Sequence, residues 1–105
     1  MPNFIFAYHG GSMPETPEEG KAVMAKWEAW MGGMGDAMTH PGAPVGMSKT
    51  VDAKGVADNG GSNPLSGFTL VEAADMDAAT ELAKGCPICE AGGSVEVAEM
   101  MSMSP

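Results

Sequence analysis

At 105 residues the chain suits one domain, residues 1–105, with a core of its own but a high surface-to-volume ratio. Five basic residues against fourteen acidic ones leave a formal net charge of -9, which argues against nucleic acid and against anionic membrane surfaces as partners. No apolar run approaches the roughly 20 residues of a bilayer span, the opening MPNFIFAYHGG lacks a basic leader, and two cysteines make no disulfide framework, so the expected location is cytoplasmic.

Residues 3–8, NFIFAY, are a short apolar and aromatic run stopped by Gly10-Gly11, the pattern of a strand buried on both faces. Thr16-Pro17-Glu18-Glu19 then marks a helix start: Thr as N-cap, Pro at the first helical position, and Glu at the third to close a capping box. Val23, Trp27, Trp30, Met31 and Met34 follow along one helical stripe that should lie on a sheet. The helix should end by Thr39, ahead of His40-Pro41-Gly42, which reads as a turn. Residues 45–53, VGMSKTVDA, give a second strand of mixed polarity suited to a sheet edge. Residues 54–64 form a loop or irregular hairpin, and residues 65–73, LSGFTLVEA, a third strand. Asp75 caps a short second helix that turns Ala79, Leu82, Ala83 and Cys86 to one face, with Gly85 expected to end it in a left-handed conformation. Residues 94–100, SVEVAEM, alternate as a last strand.

The order β-α-β-β-α-β is that of an α+β, ferredoxin-like fold with a four-stranded antiparallel sheet. Two helices cover one face of such a sheet. Phe4, Phe6 and Tyr8 project to one side of the first strand, while Ile5, Ala7 and His9 project to the other, so both faces carry apolar groups. A monomer would leave such a patch in water, so a homodimer with the bare faces packed together is expected.

The segment LSGFTLVEAADMDAATELAKGCP with the following GGSVEVAEM resembles the C-terminal half of the YCII-related family, and KWEAWMGGMGDAMTHPGAPVG resembles the first helix and exit turn in one of its branches. The resemblance implies a dimeric α/β barrel. It also implies that a histidine with a nearby aspartate is a reactive pair in some members. The Asp-Gly-Pro-Phe sequence that other members carry before the third strand is replaced here by DNGGSNPLSGF.

His9 ends the first strand and shares a face with Ile5 and Ala7. Two roles are open: a general base, or a buried histidine bonded to backbone or to its two-fold mate. Asp36, at the negative end of the first helix, gains nothing from the macrodipole there. It is a candidate to orient His9 or His40, or else a solvated loop carboxylate. His40, exposed on its turn, could close over the same cleft. Trp27 and Trp30 fit the core, with the Trp30 indole N–H available at a pocket wall, and Ser66 and Thr69 are candidate polar liners of that pocket.

Cys86 and Cys89 form a Cys-x-x-Cys pair at the wrong end of a helix for a lowered thiol pKa and without further ligands for zinc, which favours packing plus a loop thiol. The eleven methionines, among them Met24, Met31, Met34, Met38 and Met76 in helical stretches, read as core filler. The thioethers of Met100, Met101 and Met103 have no repeating spacing for Cu(I). No metal and no cofactor is expected. Two functions fit: a small-molecule enzyme of isomerase- or hydrolase-like proton transfer, with a pocket between sheet and first helix, or a non-enzymatic binding or accessory module.

Overall fold

In the computed structural model, which describes residues 1–101, the chain runs β1 (Asn3–His9), α1 (Pro17–Met34), β2 (Met38–Pro44), β3 (Thr50–Asp52), β4 (Gly55–Ala57), β5 (Leu65–Glu72), α2 (Met76–Lys84) and β6 (Ser94–Glu99). Strands β2, β5, β1 and β6 pair antiparallel in that order as a four-stranded sheet. This is the α+β, ferredoxin-like arrangement expected from the order of elements.

Local chemistry starts the helices where the sequence marks them. Thr16 Oγ1 accepts from the Glu19 N–H at 3.1 Å, with Pro17 at the first helical position. The Glu19 carboxylate does not return to Thr16 as a capping box would. It accepts from the Glu15 N–H at 2.9 Å, one residue earlier. The Asp75 carboxylate caps α2 through the Ala78 N–H at 2.8 Å.

Both helices lie on one face. Phe4, Phe6 and Tyr8 of β1 with Thr69 and Val71 of β5 are buried there. Trp27, Trp30, Met31 and Met34 of α1 pack on them, as do Ala79 and Ala83 of α2 and then Cys86. Full burial of a side chain such as Phe4 or Phe6 stabilises the fold by roughly 2–3 kcal/mol. On the opposite face Ile5, Ala7 and His9 are only half-buried, beside Phe68 and Leu70 of β5 and Ala98 of β6, and among the described residues no helix covers them.

Three local expectations are corrected. The second sheet strand is Met38–Pro44 rather than residues 45–53, so His40-Pro41-Gly42 lies inside a strand. The strand is an edge with two register shifts, where a proline is tolerated because its missing N–H faces away from the ladder. Gly42 has φ +71°, and a Cβ on it would overlap the Phe68 carbonyl oxygen. Part of the expected strand instead pairs as β3 with β4 in a separate two-stranded ribbon. Gly85 is right-handed, at φ −83°. Its lack of a side chain serves another end, since a Cβ there would stand 3.1 Å from Trp30 Cδ1. Of the methionines expected in helices, Met34 is buried, Met31 is half-buried, Met24 and Met76 are exposed, and Met38 is not helical but opens β2, half-buried. Met103 lies outside the described residues. Among the described residues no helix is long and apolar enough to cross a membrane.

Candidate cleft and histidine site

A cleft of about 400 Å³ separates α1 from the sheet. Val23, Met24, Trp27 and Met31 form its helix side, and Pro41–Pro44 of β2 with residues 66–69 of β5 its sheet side. Its polar groups are chained. Tyr8 Oη donates to Thr69 Oγ1 at 2.6 Å, and Thr69 Oγ1 donates to the Pro41 carbonyl at 3.1 Å. Burial, partly offset by the Thr69 hydrogen bond, holds the Tyr8 phenol above its ordinary pKa.

Ser66 is set apart from that chain. The register between β1 and β5 pairs Tyr8 with Gly67 and His9 with Leu65, so Ser66 is the extra residue of a β-bulge. Its Oγ is buried and among the described residues has no hydrogen-bond partner. The residue lines this cleft and also two adjoining ones, beside Gly10-Gly11 and beside residues 45–48.

His9 lies on the bare face. Its Nδ1 is 3.1 Å from the Asn63 carbonyl and 3.3 Å from that of Pro64, while its Nε2 is 3.0 Å from Glu96 Oε1. Carbonyl and carboxylate oxygens only accept, so both contacts are hydrogen bonds only when each ring nitrogen carries a hydrogen. The imidazole is 11% exposed and the Glu96 side chain 66%.

Asp36 is not brought to His9. It sits exposed in the turn Gly35–Ala37 just before Met38, whose partner Val71 pairs with Phe4 at the far end of β1. Five strand residues at about 3.3 Å each place that end roughly 17 Å from His9. The carboxylate beside His9 is that of Glu96, 87 residues away in sequence. His40 is exposed on β2, its Nδ1 accepting from the Gly42 N–H at 2.9 Å and its ring stacked on Phe68 at 6.3 Å. Among the described residues it makes no ion pair with Asp36. The Trp30 indole N–H is not free for a ligand, because it donates to the Leu82 carbonyl at 2.9 Å. Trp27, expected as core, lines the cleft and meets Tyr8 edge-on at 5.1 Å.

Glu96, Trp27 and Tyr8 carry no site signal of their own in the sequence. Alternation in SVEVAEM places Glu96 on the same face as Ala98, but only the β1–β6 register sets it beside His9. Cys86 is buried and Cys89 exposed, both free thiols. Burial pushes the Cys86 thiol up to about 12. Among the described residues no three His, Cys, Asp or Glu side chains gather as a metal site requires.

A comparison with curated proteins finds no match. The family model of the YCII-related domain matches residues 5–104, nearly the whole chain, and the protein therefore belongs to the YCII-related family.

Proposed function

We propose that this YCII-related protein binds a small, largely apolar organic molecule in the cleft between α1 and the β5–β2 edge. Ser66 carries the reading. A buried hydroxyl without a partner is costly, and a bulge that re-aims one side chain commonly accompanies a functional site. A ligand with one hydrogen-bonding group would satisfy Ser66 Oγ while its apolar body replaced water against Val23, Trp27 and Met31. A volume of about 400 Å³ falls in the ordinary range of small-ligand sites. Methyl-labelled methionine NMR with a set of small aromatic alcohols and ketones tests it. Hits should move the Met24 and Met31 methyls and not that of Met47, and Ser66→Ala should weaken them about fivefold, the worth of one hydrogen bond of roughly 1 kcal/mol. Hits that leave Met24 and Met31 unmoved would remove this reading.

The His9–Glu96 contact favours a second reading, an isomerase- or hydrolase-like proton transfer without a cofactor. Backbone carbonyls fix the ring through Nδ1, and the exposed Glu96 can leave Nε2 to a substrate. Asp36 has no place in it. His9→Asn with folding intact should abolish turnover once a substrate is known; an unchanged rate removes the enzyme. We further propose that two copies pack through the bare sheet faces as a dimeric α/β barrel, in the reducing cytoplasm that the free thiols suit.

A further inference from the structure

We infer that the cleft between α1 and the sheet selects an organic cation, an ammonium group on an apolar body; this deepens the binding reading above and rests on it. Three observations converge. Among the described residues Glu28 is the one charged residue lining the cleft, and it makes no ion pair there. The nearest lysine in sequence, Lys26, lines the adjoining cleft, where its Nζ is held 2.9 Å from Glu90 Oε2. Among the described residues no cation therefore pairs with Glu28.

The walls have the matching chemistry. Tyr8 and Trp27 both line the cleft with their rings set at 78° to each other, and the faces of such rings attract ammonium groups. The hydrogens of the Tyr8 and Thr69 hydroxyls are already committed, to Thr69 and to the Pro41 carbonyl. Their oxygens retain lone pairs, so apart from Ser66 the side-chain hydroxyls there offer acceptor capacity. Acceptors, aromatic faces and an unpaired carboxylate suit an N–H-bearing cation and reject a carboxylate ligand. The chain's net charge of -9 adds a long-range field of the same preference.

Three probes that share a phenyl body separate these effects: phenethylammonium, 2-phenylethanol and 3-phenylpropionate, titrated against the whole protein with the Met24 and Met31 methyls as reporters. Phenethylammonium should bind on the order of tenfold more tightly than the alcohol, and the carboxylate most weakly. Glu28→Gln should leave the alcohol unchanged and lower the cation's advantage several-fold, the remainder resting on the Tyr8 and Trp27 rings and the net charge. Glu18→Gln, which makes the same change in net charge away from the cleft, should preserve it. Equal binding of alcohol and ammonium, or loss of the advantage in both variants, overturns the charge selection and leaves the cleft a neutral site. Failure of all three probes to move Met24 and Met31 overturns the binding reading itself.

Discussion

Cys86 and Cys89 stand three positions apart and behave as different chemical groups. The Cys86 side chain fills a space beside Ala83 in the core, 2% exposed, and its thiol is pushed up to about 12 by burial. Iodoacetamide at pH 8 should therefore modify Cys89 alone in the folded protein and both thiols in urea, as mass spectrometry would count; double labelling of the folded form contradicts the packing. The same burial makes stability depend on alkaline pH. The Cys86 thiol ordinarily ionises near 9.0 and the Tyr8 phenol near 10.0, and the fold holds both above those values. Unfolded chains lose these protons first, so stability is complete below about pH 9 and falls as pH rises toward 12. Urea titrations across that range should show the decline, and Cys86→Ala should make it shallower. Single residues were legible where their role is local: Thr16 and Asp75 cap as their types dictate. Gly85 was not, because its purpose is the closeness of Trp30, 55 residues earlier in the chain, and no local pattern reports that.

At the level of elements, β2 shows where local pattern and tertiary context part. Thr39-His40-Pro41-Gly42 has the composition of a turn, yet pairing with β5 on an open edge draws it into the sheet with two register shifts. Edge pairing tolerates Pro41, and the positive φ of Gly42 together with the Phe68 carbonyl against it explains the glycine. Gly42→Ala combines a positive φ with a backbone overlap and should cost at least about 2 kcal/mol, read as a lower urea midpoint with loss of amide protection in β2. Retention of both would mean that the strand can shift aside. Thr16→Ala, which removes one cap bond of α1, should cost about 1 kcal/mol. The cleft position was legible because a first helix with a tryptophan stripe must lie against a sheet. The His9 partner was not, since it required the β1–β6 register rather than proximity in sequence.

At the scale of the molecule, one helical layer rests on one sheet, and the shortest Cα extent is 18 Å. The face that carries Ile5, Ala7, Phe68, Leu70 and Ala98 has no helix over it among the described residues. If two copies enclose it, Leu70→Glu should convert the dimer to monomer in sedimentation velocity at micromolar concentration, because a buried carboxylate without a partner costs several kcal/mol. A wild-type protein that sediments as a stable monomer refutes the barrel. Burial of that face in a dimer leaves the α1 cleft open on the outer side, so ligand affinity there should not vary with protein concentration.

The sheet order β2-β5-β1-β6 interleaves the two halves of the chain. Between β2 and β5 the polypeptide leaves the sheet, and the β3–β4 ribbon pairs only with itself among the described residues, Val51 and Val56 standing in solvent. A protease that cuts within residues 45–64 would therefore sever the backbone without separating the pieces. The C-terminal fragment keeps β5 laced between two strands of the N-terminal one, and fragments produced separately should reassemble into the intact sheet when mixed.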